Sequence, residues 1–195
     1  MCGRYYVDDE TVREIERIIK NLDIRLESAP KHGEIYPTHN VMVLQVENSN
    51  TILCNMIWGF LQHNQKGVII NARAETLLEK RTFADSAKHR RCMIPAKGFF
   101  EWDRNKNKIS FERPDNKVML IAGIWNVFDT DKRCTIITTT ANESVSSVHG
   151  RMPLVLEQDE AEIWMKDDKG TEFLLHKPPK ELSIVSGYVQ QTLNL

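Results

Sequence analysis

Residues 90–102 read RRCMIPAKGFFEW. Pro95 and Gly98 mark a turn inside this stretch, since proline cannot donate to a sheet ladder and glycine tolerates turn backbone. The GFFEW that follows is an apolar run with a single acid, Glu101, and predicts a strand over 97–102. On a buried strand a lone carboxylate is costly unless it is paired, protonated or placed at a site. Burial would raise its pKa toward the range useful for proton transfer. On a solvent-facing strand it would be an ordinary surface acid, and the run itself leaves both options open.

More strands follow on either side. Residues 107–112, 117–127 and 133–140 are strand-like, and RPDNK (113–117) is a turn signal. VMVLQV (41–46) and TILCNMIW (51–58) flank ENSN, which predicts a hairpin. KGVIINAR (66–73) reads as a strand running into a helix that begins near Ala74, and 182–189 as a last strand. Helical periodicity is confined to 8–22, where Val12, Ile15, Ile18, Ile19 and Leu22 form a stripe behind Asp8 or Asp9, and to 157–166, anchored by Ile163 and Trp164. Residues 27–40 are irregular, with Pro30, Gly33 and Pro37. The class is α+β with mainly antiparallel pairing, and no linker divides 1–195 into more than one domain.

The chain has 195 residues, is 41% hydrophobic and carries a net charge of −1. Such a chain buries a sizeable core and has no global positive field to attract nucleic acid, so any such binding must come from a local patch. Basic residues crowd 80–91 and acidic ones 157–172, and solvated helix faces account for both. Cys2, Cys54, Cys92 and Cys134 show no zinc-ligand spacing, and the last three lie in or beside apolar runs, as buried reduced thiols do. There is no signal-peptide pattern and no apolar run near the ~20 residues of a membrane span. The expectation is a cytoplasmic, monomeric protein with no membrane association.

Chemistry concentrates in four places. MCGRYY opens the chain. If Met1 is removed, Cys2 carries an α-amine and a thiol on adjacent carbons. With a pKa of about 7.7–8.0 that amine is partly unprotonated at neutral pH. It can attack an aldehyde, and the thiol can then close a five-membered ring on the imine carbon. In NARAET (71–76) strand alternation would point Asn71 and Arg73 the same way, an amide and a guanidinium able to orient a substrate and bind phosphate. Taken alone it reads better as a helix start with Glu75 in its first turn. GFFEW supplies Glu101. SSVHGRMPLVL (146–156) supplies His149, an acid or base near pH 7 or else a surface-loop histidine, with Arg151 two residues on. TTTAN (138–142) precedes it.

The elements MCGRY, PT (37–38), WG (58–59), NARAET, RRCMIPAKGFFEW, TTTAN and HGRMPLVL (149–156) together resemble the SOS-response-associated peptidase (SRAP) family, in its order and across nearly the whole chain. The resemblance implies a bifurcated, barrel-like β structure with surrounding helices. It implies binding to abasic sites in single-stranded DNA and covalent capture of the lesion as a thiazolidine by Cys2 after Met1 is lost, with no metal or other cofactor. By the same mapping Asn71 holds the Cys2 amine and sugar in register, Glu101 moves protons, and His149 helps open the sugar. Gly3, Arg4, Arg73 and Arg151 line the phosphates, while Pro37 and Trp58 border the nucleic acid, Trp58 by base stacking. Self-cleavage of Met1 is expected with this set. Two other readings stand beside it: a thiol peptidase built on Cys2, Glu101 and His149, for which no oxyanion-hole motif is visible, and a non-covalent reader of modified bases, which needs the arginines and Trp58 but not Cys2.

Overall fold

Arg91–Ala96 and Gly98–Trp102 are two strands separated by Lys97 alone, and they belong to different sheets. The computed structural model describes residues 2–21, 25–26, 32–62 and 66–185. In chain order these form β1 (Tyr5–Val7), α1 (Asp9–Asn21), β2 (Arg25–Leu26), β3 (Gly33–Ile35), β4 (Asn40–Glu47) and β5 (Asn50–Trp58). Next come β6 (Phe60–Leu61), β7 (Val68–Ile69), β8 (Asn71–Arg73), α2 (Ala84–His89), β9 (Arg91–Ala96), β10 (Gly98–Trp102) and β11 (Lys108–Glu112). The chain continues through β12 (Met119–Phe128), β13 (Asp131–Thr140), α3 (Glu143–Ser146), β14 (Arg151–Pro153), β15 (Val155–Leu156), α4 (Gln158–Lys166), α5 (Asp168–His176) and β16 (Ser183–Val185).

Strands β13, β12, β9, β4 and β5 are hydrogen-bonded in that order, and a parallel pairing of β13 with β5 closes them into a barrel. The second sheet, β16-β11-β10-β1-β3, is antiparallel throughout. The chain is thus the bifurcated α+β fold expected, with the division at Lys97, whose N–H donates to the Tyr6 carbonyl at 2.8 Å.

β9 explains both the fold and the difficulty of reading it. All of its residues are buried. Cys92, Ile94 and Ala96 join the core shared with Tyr5, Trp58, Phe99 and Phe111, while Met93 faces the opposite core under Trp164, Leu174 and Leu175. A strand covered on both faces loses the period-two alternation that betrays a half-exposed one. Pro95 is tolerated because it stands at a non-hydrogen-bonded position opposite Leu120 of β12 and lies beyond Cys92 and Met93, the residues of β9 that pair with β4, so no ladder partner needs its missing N–H. Arg91, part of the basic run, is buried; it donates to the carbonyls of Trp164, Ala87 and Lys88 and so ties α2 to α4.

The other elements follow local chemistry. Asp8 accepts from the Thr11 N–H at 2.7 Å and caps α1. Asn48 and Ser49 sit at φ 49° and 66°, the pair of left-handed residues that a two-residue hairpin between β4 and β5 requires. The helix expected near Ala74 is one 3-10 turn, Ala74–Thr76, after which α2 begins only at Ala84. α5 is a helix without an expected counterpart. The last strand is Ser183–Val185, and the remainder of 182–189 past Val185, like Leu22, lies outside the described residues. Among the described residues no helix is long and apolar enough to cross a membrane.

Gly98, the first residue after the division, has no room for a side chain: a Cβ there would lie 2.3 Å from the Phe111 carbonyl oxygen. Backbone cannot swing aside as a side chain can. Gly98→Ala should therefore destabilise the protein by about 1–3 kcal/mol, read as a lower urea midpoint at unchanged slope. An unchanged midpoint would show that β10 and β11 approach less tightly than described.

Candidate active site

The site is assembled by β1. It lies between β10 and β3, with Tyr5 opposite Phe99 and Ile35. The Phe100 N–H donates to the Arg4 carbonyl at 2.9 Å, which carries the pairing beyond the strand toward the amino end. Gly3, half-buried, and Cys2, 0% exposed, are thereby laid alongside the far half of β10, where Glu101 sits. The Asn71 side-chain N–H donates to the Cys2 carbonyl at 2.9 Å. That bond contributes about 0.5–1.5 kcal/mol; burying Tyr5 and Val7 contributes about 1.5–3 kcal/mol each. The strand therefore places Cys2, and Asn71 only orients it.

Asn71 owes its position to β8, which runs parallel to β13 with Asn71 opposite Ile136 and Arg73 opposite Thr138. Ala72 points into the core, so Asn71 and Arg73 share the other face, as their spacing requires. Asn71 Oδ1 is buried and accepts no hydrogen bond from the described residues.

Glu101 is buried on β10. His149 Nδ1 lies 3.8 Å from its Oε1. The histidine is set by a short capped turn. Asn142 accepts from the Ser144 N–H at 3.1 Å and caps α3, and the His149 N–H closes on the Val145 carbonyl at 3.0 Å. The Arg151 N–H donates to His149 Nδ1 at 3.0 Å. Burial and the neighbouring Glu101 carboxylate both push the Cys2 thiol up from its ordinary value, so it stays protonated at neutral pH.

Three arginines surround this centre. Arg151 makes a two-pronged pair with Glu75 at 2.5 and 2.9 Å and donates to the Thr138 carbonyl at 2.6 Å. Arg4 pairs with Glu34 at 3.3 Å and lies against the rings of Tyr36 and Trp102, 4.4 and 4.9 Å from their centroids. Arg73 is exposed.

Trp58 departs from expectation. It is 1% exposed, donates its Nε1–H to the Ile70 carbonyl at 2.9 Å and packs on Tyr5, so its ring is floor rather than stacking surface. Its carbonyl accepts from the Thr38 N–H at 2.8 Å and so fixes the half-buried Pro37 turn at the rim. Gly59 follows at φ +120°, and a Cβ there would lie 2.8 Å from Val68 Cβ. The exposed aromatics near the site are instead Tyr36 and Trp102, both against Arg4. Alternation along β10 turns Trp102 away from the buried Glu101; Tyr36 and Glu34 carry no signal in the sequence, and Glu75 reads there only as a helix-start acid.

All four cysteines are buried and none is in a disulfide. The set Cys2, Asn71, Glu101 and His149 thus comes from four separate chain segments.

Comparison with known proteins agrees with this architecture. The abasic site processing protein YoqW of Bacillus subtilis (strain 168) is 32% identical over 181 residues, covering 85% of this chain and 80% of that protein. The abasic site processing protein YedK of Escherichia coli (strain K12) is 25% identical over 179 residues, covering 86% and 81%. A crystal structure of a protein from Bacteroides thetaiotaomicron shares the fold, with a TM-score of 0.77 at 20% identity over 94% of this chain and 90% of that one. The family model for SOS response associated peptidase (SRAP) matches residues 1–194. With the match spanning both sheets and every segment of the site, the chain belongs to the SOS response associated peptidase (SRAP) family.

Proposed function

We propose that this protein binds abasic sites in single-stranded DNA and, once Met1 is removed, couples to them covalently through Cys2. The observation that carries the proposal is the seating of Cys2. Its carbonyl is held by Asn71 on a strand that delivers it beside a buried carboxylate and an imidazole. The relatives named as abasic site processing proteins support the choice of lesion.

The chemistry follows from those groups. An abasic deoxyribose is a closed hemiacetal in equilibrium with an aldehyde. His149 assists opening by moving the ring-oxygen and hydroxyl protons. The Cys2 amine attacks the aldehyde carbon to give a carbinolamine, and proton delivery by Glu101 expels the hydroxyl as water to leave an imine. The thiol then adds: a carbon–sulfur bond forms, the C=N electron pair moves to nitrogen, and the thiol proton follows it. The product is a thiazolidine, one water lighter than the reactants. A thiol that remains protonated suits this last step, in which it must bring its own proton, better than it suits a peptidase acting on other proteins, which needs a ready thiolate at every turnover. Asn71 Oδ1, without a donor among the described residues, is the acceptor that a free Cys2 amine would satisfy. Removal of Met1 is assigned to self-cleavage by the same cluster. Arg4, Arg73 and Arg151 hold the flanking phosphates, with Pro37 at the rim. The scheme uses no metal or organic cofactor, and the whole chain acts as one domain.

Three outcomes are expected with a single-stranded oligonucleotide whose one uracil has been removed by a glycosylase. Cys2→Ala, which keeps an α-amine but has no thiol, loses the heat-stable conjugate on a denaturing gel; equal yield would sink the proposal. Glu101→Gln slows conjugation about 10²-fold, whereas a solvent-face role would leave the rate unchanged. The rate climbs about tenfold per pH unit below neutrality and levels off above the α-amine pKa of about 7.7–8.0, because only the unprotonated amine attacks. A flat profile would point to another nucleophile.

A further inference from the structure

Two of the arginines assigned to phosphate already hold a carboxylate. Glu75 accepts from both terminal nitrogens of Arg151, at 2.5 and 2.9 Å. Glu34 pairs with Arg4 at 3.3 Å, accepts from the Tyr36 hydroxyl at 2.9 Å and also pairs with Lys108. Hydrogen bonds from Arg151 hold Glu75 below the usual carboxylate range despite partial burial. Burial pushes Glu34 up, but the hydrogen bonds and charges of Lys108, Tyr36 and Arg4 outweigh it and leave it below the usual range. Both acids therefore carry their charge throughout the neutral range. Arg73, by contrast, meets no carboxylate among the described residues.

A two-pronged pairing between a guanidinium and a carboxylate has the geometry that a phosphate would take. Glu75 thus occupies the place of the ligand on Arg151, while Glu34 engages Arg4 through a single contact between one terminal nitrogen and Oε2. Neither pair is locked. The side chains of Glu34 and Glu75 are 35% and 42% exposed, and solvent-screened pairs of this kind exchange readily. Each arginine also keeps its Nε–H buried without an acceptor among the described residues, so the carboxylate does not satisfy it fully.

We infer that Glu75 and Glu34 are specificity-determining residues: they occupy Arg151 and Arg4 in the resting protein, so that an undamaged strand finds mainly Arg73, and only a strand anchored at Cys2 displaces them. The inference rests on the reading of Arg4 and Arg151 as phosphate contacts. Anchoring changes the competition because the phosphates beside a captured sugar are held at high effective concentration next to both arginines. An undamaged strand has no such tether and competes with a permanently tethered carboxylate. A net charge of −1 then fits a DNA-binding protein whose cations are kept masked until needed.

The test measures binding of a lesion-free single-stranded oligonucleotide by fluorescence anisotropy over a range of salt concentrations, using the full chain. Glu75→Gln and Glu34→Gln keep an acceptor for the arginine and remove the competing charge. Each is expected to bind the lesion-free strand several-fold more tightly. The slope of log affinity against log salt should steepen by about 0.7 for each arginine released. Thermal stability should stay near that of the parent, and the preference for abasic over intact strands should fall. If affinity and slope are unchanged or lower in both variants, the glutamates merely support the arginines and the inference is wrong. Because the probe holds no aldehyde, this result is independent of the conjugation assay that tests the covalent reading.

Discussion

Everything in the site depends on how the amino end is held. β1 is short, yet it is paired on both sides and its Tyr5 and Val7 are in the core. The bond from the Phe100 N–H to the Arg4 carbonyl then commits the preceding residues to run toward Glu101. A chain terminus ordinarily frays. The proposed chemistry needs Cys2 at a fixed position relative to a carboxylate and an imidazole, and an interior strand of the five-stranded sheet supplies it. The single-residue crossing at Lys97 serves the same end, because it lets one continuous segment rim the barrel and hold the terminus against it.

Much of this was legible. Both strands of the ENSN hairpin, the strands after 97, the helix behind Asp8 and the helix at 157–166 follow from alternation, turn residues and capping. Asn71 and Arg73 share a face because strand geometry demands it. What escaped shares one cause. β9 is buried on both faces, the segment after Ala74 is set by packing of Leu77 and Phe83 rather than by propensity, and Trp58 is covered by Tyr5. Each depends on neighbours distant in sequence, which a local pattern does not record. The same holds for the pairing of Glu75 with Arg151, whose partners are 76 positions apart.

Electrostatics and covalent chemistry meet at a small scale. Burial keeps the Cys2 thiol protonated, so in the proposed reaction the first move falls to the amine. The carboxylates nearby divide into two kinds. Glu101 is buried and faces His149 near Cys2, whereas Glu34 and Glu75 are part-exposed and face arginines. Identical functional groups acquire different roles from burial and from the partner each meets.

The central claim is that the terminal amine and thiol of Cys2 both bond to one carbon of the lesion. Intact and peptide-level mass spectrometry of the conjugate, with and without borohydride, tests it most directly. The account predicts attachment at residue 2 of the Met1-free chain, a mass one water below the sum of protein and abasic oligonucleotide, and no uptake of hydrogen from borohydride, since a thiazolidine has no C=N to reduce. Attachment at any other residue, or a conjugate that gains two hydrogens on reduction, would contradict it.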